Sequence, residues 1–434
     1  MKQIQLTLLS VCFCVAATAQ TQLSLDDAIS RALENNFQIQ IAELSAEIQA
    51  NNNTWGQTNA VPVIGLTGSF SNNISDQSQN PTAFIQDKLE STTLQYGANL
   101  NWTLFDGFGM FAAKRQLEIL EEQSEGNAAL VIENTLQAII ISYYQAALQQ
   151  AKLEVLSDVI HLSEDRLNYM QVKQELGAST TFEILQFENA IIADSTNYLM
   201  QELAARNAQR NLNLLMAESE DIQWELTTGL GDPAAVFVIE DLQSRMRSSN
   251  QQMKNQYLNL RLIEEDVNRA RSSLYPVVSF QAGINQADSR FKVGELEGDG
   301  TTLNYFGNFV LNFNLFNGGK ARRSLQNAKI QTEISSLGLA DLELRLDAEL
   351  RTTYERYQAQ QRIFGMSNRN VSNAKRTMEI ANDRFQNGVI NSFDYRDVQL
   401  VYLNASTLQL ENLYNLLATH TGLVRLTGGL VRAK

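Results

Sequence analysis

The sequence predicts an α+β fold, mainly α, in which very long helices accompany four amphipathic strands and the whole arrangement is laid down twice along the chain. Three observations point to it. Apolar residues recur at every second position in four separate stretches, the tracts 82–232 and 277–434 contain no proline, and landmark residues return in the same order in the two halves.

A period of two marks a strand with one apolar and one polar face. Leu94, Tyr96, Ala98, Leu100, Trp102 and Leu104 alternate with Gln95, Gly97, Asn99, Asn101 and Thr103. Val278, Phe280, Ala282 and Ile284 alternate with Ser279, Gln281, Gly283 and Asn285. Tyr305, Phe309, Leu311, Phe313 and Leu315 face off against Asn308, Asn312 and Asn314, and Ile64, Leu66 and Phe70 form a weaker fourth run. Each run approaches the ~9–11 residues of a membrane-crossing strand. The segments 71–92 and 286–303, rich in Asn, Asp, Gly and Ser, are expected as exposed hairpin loops.

Between the strands the period lengthens. Ile132, Leu136, Ile140, Tyr143 and Ala147 are spaced by three and four, as are Leu410, Leu413, Leu417 and Val424. Proline costs a helix interior about 3 kcal/mol, so the proline-free tracts permit long helices. From Gly109 to Leu176 only Gly126 interrupts the pattern, and at about 1.5 Å per residue such a helix approaches 100 Å. Past residue 19 no segment has the ~18 apolar residues of a membrane helix. These helices are expected to stand in water and pack by narrow stripes, as in coiled coils.

Repetition sets the organisation. Asp27, Arg31 and Pro62-Val63 return as Asp241, Arg245 and Pro276-Val277, 214 positions later. Leu100 to Gly107 returns as Leu311 to Gly318, and Gly177 and Phe182 as Gly388 and Phe393, 211 positions later. The expected boundaries are 20–235 for a first structural repeat with its strand pair at about 63–105. A second repeat covers 236–434 with its strand pair at about 277–316. Each is ordered helix, strand pair, long helix, helical hairpin.

Residues 1–19 are expected to be a signal peptide: Lys2 precedes an apolar run, and Ala17-Thr18-Ala19 fits the small-residue cleavage pattern, leaving Gln20 first. Cys12 and Cys14 lie inside it, and in Leu9-Ser10-Val11-Cys12 the Val before the cysteine is too large for a good lipoprotein box. The mature chain would have no cysteine, and so no disulfide or thiolate metal site. A formal charge of −14 speaks against nucleic acid, which needs clustered Lys and Arg. His161 and His420 are the only histidines, each in a helical pattern where a structural role is the simpler reading. No catalytic or nucleotide-binding motif occurs, so neither enzyme activity nor a cofactor is expected.

Four amphipathic strands cannot close a barrel, and lipid cannot satisfy the backbone groups at an open edge. The strands must join those of other copies, and three copies give twelve strands, an even number suited to an outer-membrane barrel. Trp102, Phe105, Phe108, Phe313 and Phe316 cluster near strand ends, where an interfacial girdle belongs; ordinary apolar strand content is the alternative.

With these features in place, the chain resembles the TolC family of outer-membrane efflux proteins over essentially its whole mature length. Two signatures carry the resemblance. One is Leu104-Phe105-Asp106-Gly107-Phe108, echoed at Leu315-Phe316-Asn317-Gly318-Gly319. The other is Arg384-Phe385-Gln386-Asn387-Gly388, continuing to Phe393-Asp394 and echoed at Lys173 to Glu183. The resemblance implies a homotrimer whose β-barrel sits in outer-membrane lipid above a long periplasmic α-helical coiled-coil barrel. It also implies a periplasmic adaptor (membrane fusion) protein and an inner-membrane pump as partners, with passive conduction of efflux or type I secretion substrates. A periplasmic coiled-coil adaptor or structural protein is the rival reading, though it leaves the strands without purpose.

Gly177 and Gly388 interrupt helical patterns and mark chain reversals. By resemblance these tips form the periplasmic mouth, making Leu176, Gly177, Ala178, Asn387, Gly388 and Val389 candidate adaptor contacts; a turn without a partner is the alternative. Asp394 and Asp397, three apart on one helix face, match the acidic rings that constrict the family's pores, with Glu183 the first-repeat counterpart. A solvated helix N-terminus reads equally well. Phe385 and Ile390 depart from the family pattern, standing where a tyrosine and an arginine would help latch the mouth shut.

Overall fold

The computed structural model describes residues 21–430, and the expected signal peptide lies outside the described residues. The elements run β1 (Thr21–Leu23), α1 (Leu25–Asn35), α2 (Phe37–Asn52), β2 (Val63–Asp76), β3 (Lys88–Phe105), α3 (Gly109–Glu175), α4 (Thr181–Met216), β4 (Trp224–Leu226), α5 (Ile239–Ser249), α6 (Gln251–Ser272), β5 (Val277–Val293), β6 (Leu296–Asn312), α7 (Lys320–Gln386) and α8 (Ser392–Leu426). The sequence order of helix, strand pair, long helix and second long helix occurs twice, and α3 and α7 each have 67 residues. No helix among the described residues is long and apolar enough to cross a membrane.

Two compact units contain these elements. One comprises the described residues up to Ile39, Ile132–Ser244, and those from Glu349 on; the other comprises Gln40–Val131 and Arg245–Ala348.

In the first unit, β1 and β4 pair in parallel. Around them Leu23, Ala28, Ala32, Ile139, Tyr143, Leu212, Met216 and Trp224 form a buried core. Tyr143 holds this core to the backbone: its hydroxyl donates to Leu23 O at 2.9 Å and accepts from Thr228 N at 3.0 Å. The buried stripe of α3 runs Leu136, Ile139, Tyr143, Ala146 and Ala147, so of the residues read from spacing Ile132 and Ile140 lie partly exposed beside it. The segment leading into α5 docks on α7: Tyr354 and Tyr357 donate to Phe237 O and Ala235 O, and Gln361 also donates to Ala235 O. Phe237 and Tyr357 enclose His420, with ring centroids 5.5 and 6.1 Å away.

In the second unit the four long strands form an antiparallel sheet in the order β2-β3-β5-β6. They have 14, 18, 17 and 17 residues, well beyond the alternating runs that predicted them. The expected hairpin loops at 71–92 and 286–303 shrink accordingly: β2 continues to Asp76, β3 resumes at Lys88, and Gly294-Glu295 suffices to join β5 to β6. The backbone ladder continues where the side chains turn polar, because strand pairing rests on main-chain bonds and a register already set by the apolar section.

Register decides which residues share a face, since directly opposed residues of antiparallel strands point the same way. Leu66, Ala98, Ile284 and Tyr305 form one such row, Ile64, Leu100, Ala282 and Gly307 the next, and Trp102, Phe280 and Phe309 a third. The opposite face carries the rows Gly65, Asn99, Gly283, Phe306 and Thr67, Gly97, Asn285, Asn304, followed by Ser69, Gln95, Ala287, Thr302. Through these rows one face is apolar and the other polar across all four strands; toward the hairpins the first face turns polar and charged, and the second carries the row Leu89, Val293, Leu296. Outer strands β2 and β6 run in opposite directions, and each leaves one edge unpaired within the chain.

Candidate functional site

The candidate residues fall into separate sets: two helical tips and their carboxylates in the first unit, and, independently, the strand-end aromatics in the second.

The tips are built alike. After α3, Gly177 adopts φ +73°. Its N–H bonds Gln174 O and that of Ala178 bonds Lys173 O, each at 2.8 Å. After α7, Gly388 adopts φ +71°, with Gly388 N bonded to Phe385 O at 3.0 Å and Val389 N to Arg384 O at 2.8 Å. Both are Schellman terminations, in which a left-handed glycine lets the chain satisfy the last helical carbonyls as it reverses. Each following helix is capped in turn. Thr180 and Glu183 form a reciprocal capping box, and the Asn391 side chain accepts from Phe393 N and Asp394 N, both at 2.9 Å. Leu176 and Val389 stand out at 78% and 67% exposure, and the rings of Phe182 and Phe393, also exposed, have centroids 6.0 Å apart.

The three candidate carboxylates differ in their surroundings. Asp394 and Asp397 are exposed in the first turns of α8. Glu183 is half-buried and engaged: its Oε2 accepts from Thr180 N at 2.9 Å and from the Thr180 and Ser179 hydroxyls at 3.1 Å. The Thr180 backbone bond leads in holding its carboxyl below the usual glutamate range, against a smaller opposing effect of burial.

Behind the tips lies a core of Met170, Ile184, Phe187, Met378, Ala381, Phe385 and Tyr395. Phe385 stacks on Tyr395 at 5.1 Å, and the Arg166 guanidinium lies 5.2 Å from the Tyr395 ring. Phe385, one of the two departures from the family's latch, is therefore a core residue, and Ile390, the other, packs against the same cluster. Deeper still is a polar group that spacing alone did not reveal. Asp194 accepts two bonds from Arg396, and Gln399 donates to Ser163 Oγ at 2.8 Å and to Val159 O at 3.1 Å. The available signal was polar residues on apolar stripe positions: Gln399 falls between Tyr395 and Leu403, both buried on α8.

At the strand ends, Trp102 donates its indole N–H to Ala60 O at 3.0 Å. Phe105 meets Phe108 edge to face at 5.4 Å, and Phe108 lies 6.3 Å from Phe111. Phe313 and Phe316, just past β6, are exposed. All five of the aromatics named from the sequence lie at the end of the sheet where β3 and β6 terminate. Among the described residues, no group of three or more His, Cys, Asp or Glu is placed to hold a metal ion.

This fold is that of outer-membrane channels. CusC, solved in work on folding and transmembrane channel formation, superposes with a TM-score of 0.77 at 15% identity over 94% of this chain and 93% of its own. The CmeC outer membrane channel of Campylobacter jejuni gives 0.76 at 16% identity over 93% of this chain and 85% of its own. In sequence, the toluene efflux pump outer membrane protein TtgC of Pseudomonas putida is 20% identical over 418 residues, 94% of this chain and 83% of that protein. The outer membrane efflux protein model matches residues 28–218 and 242–429. The chain belongs to the outer membrane efflux protein family, and it serves efflux at the outer membrane.

Proposed function

We propose that three copies of the chain close a twelve-stranded barrel in the outer membrane, each contributing β2, β3, β5 and β6, and that the long helices form a periplasmic duct. The observation that carries this is the sheet itself: apolar on one face and polar on the other through the rows away from the hairpins, with two unpaired edges of opposite direction. Opposite directions let β6 of one copy pair antiparallel with β2 of the next, so a ring of copies leaves no edge open. The apolar face then meets lipid and the polar face lines water. The strand-end aromatics lie where an interfacial girdle is needed.

In this reading the chain conducts passively and performs no reaction, and export energy comes from an inner-membrane pump coupled through a periplasmic adaptor in a tripartite efflux or type I secretion system. The tips Leu176-Gly177-Ala178 and Asn387-Gly388-Val389 meet the adaptor, and their apolar exposure supports that role. Asp394 and Asp397, together with Glu183, narrow and charge the aperture. The two sequence repeats, 20–235 and 236–434, contribute one strand pair and one helical hairpin each.

Mass of the purified protein in detergent, with its conductance in a planar bilayer, tests the proposal. A trimer giving discrete steps is expected; a monomer without conductance sinks it.

A further inference from the structure

The sheet distributes its charges in an unusual way. Its eight charged residues, from Asp76 and Lys88 to Glu297 and Asp299, all share the face of the apolar rows and lie toward the hairpin ends. No charged residue occurs on the opposite face anywhere in the four strands. A polar surface in water ordinarily collects charges, since they are the residues most at home there. This one offers amides, hydroxyls and glycines instead, with an uncharged aliphatic row of Leu89, Val293 and Leu296 beside the hairpins, and its aromatic rings cover glycines. A Cβ on Gly283 would come 2.8 Å from the Phe306 ring, and one on Gly298 would come 2.5 Å from that of Phe291.

We infer that the strand section of the pore is blind to charge, so that selection by charge belongs to the helical part alone. The inference rests on the barrel reading, with the polar face inward. A fixed charge in a pore with low-dielectric walls focuses a field along it and favours one sign of ion. Asn and Gln side chains carry both donors and acceptors, so Gln95, Asn99, Asn285 and Asn304 can solvate a passing cation or anion alike. The rings of Phe291 and Phe306 add uncharged contact area for the apolar parts of a cargo. Substrates of either charge therefore meet no electrostatic sieve on the way out.

The test uses Cys12 and Cys14, the only cysteines in the sequence, changed to Ser. Single replacements Gln95→Cys, Asn285→Cys and Asn304→Cys probe the lining, and Leu66→Cys and Ile284→Cys probe the other face. The full-length protein in its membrane is treated from outside with a cationic and an anionic methanethiosulfonate, each rate divided by the same reagent's rate on a free thiol in solution. The lining positions are expected to react with the two reagents at normalised rates within about threefold of each other, while Leu66→Cys and Ile284→Cys stay silent. A larger bias at the lining positions overturns charge-blindness and leaves the barrel standing. Equal labelling of both faces overturns the barrel reading itself and the inference with it.

Discussion

Asp194 and Arg396, 202 residues apart in the chain, are joined by two parallel hydrogen bonds of 2.6 and 2.7 Å. The Asp194 side chain is 1% exposed and that of Arg396 17%. Removing one member of a buried ion pair strands the other charge, which typically costs about 3–5 kcal/mol. We expect Arg396→Leu to lower the thermal midpoint of the helical signal in circular dichroism strongly. The double variant Asp194→Leu, Arg396→Leu should recover most of the loss, because replacing both charges leaves neither uncompensated. A double variant as unstable as the single one would show that the neighbouring Gln399 network, rather than the charge pair, holds this region.

At Gly388 the argument is purely conformational. A Cβ there meets nothing within 4 Å, so only the backbone φ of +71° is at stake. Left-handed conformation costs an ordinary residue roughly 1–2 kcal/mol. Gly388→Ala should destabilise the hairpin by about that amount, and Gly388→Asn by less, since asparagine tolerates this region. Hydrogen exchange of the amides flanking the tip measures both, and equal protection in all three proteins would contradict the strain argument.

His420 makes stability depend on pH. Burial between Phe237 and Tyr357 lowers its pKa, while in the unfolded chain it titrates near 6.5. Between those two values the unfolded state holds more protons, so stability falls as the pH falls; above the unfolded value this contribution is constant. Thermal midpoints measured from pH 8 down to pH 5 should drop less steeply in His420→Phe than in the natural chain. Identical slopes would assign the pH dependence to other groups.

Asp394 and Asp397 carry the proposed charge selection. The double variant Asp394→Asn, Asp397→Asn keeps the shape of both side chains while removing their charge. Reversal potentials in an asymmetric salt gradient should show its cation preference reduced severalfold. Retention of the full preference would place the selective charges elsewhere in the helical section.

Much of this architecture was legible because it rests on local pattern. The alternation of Leu94 to Leu104 located a strand, the absence of proline allowed α3 and α7 their length, and Gly177 and Gly388 marked both reversals. What remained hidden depends on partners distant in sequence. The strands outrun their apolar rows because pairing, not side-chain character, extends them to Asp76 and Val293. The segregation of charge appears only once the register across three strand pairs is known. The Asp194–Arg396 pair leaves no local pattern because its members belong to different helices, α4 and α8, and Arg396 sits between the exposed Asp394 and Asp397 in sequence. The Thr180–Glu183 box is readable as Thr-x-x-Glu, and the cap it forms engages the Glu183 charge.

The unpaired edges of β2 and β6 also bear on heredity. In the proposed ring, a sheet that only neighbours can complete ties the fate of each subunit to the ones beside it. A copy damaged along β2 but sound along β6 can still enter an assembly, where it occupies a place and then fails to seal the seam. Made alongside intact copies, such a subunit would poison the complexes it joins, so lesions along this edge should be dominant, whereas lesions that prevent folding altogether should be recessive.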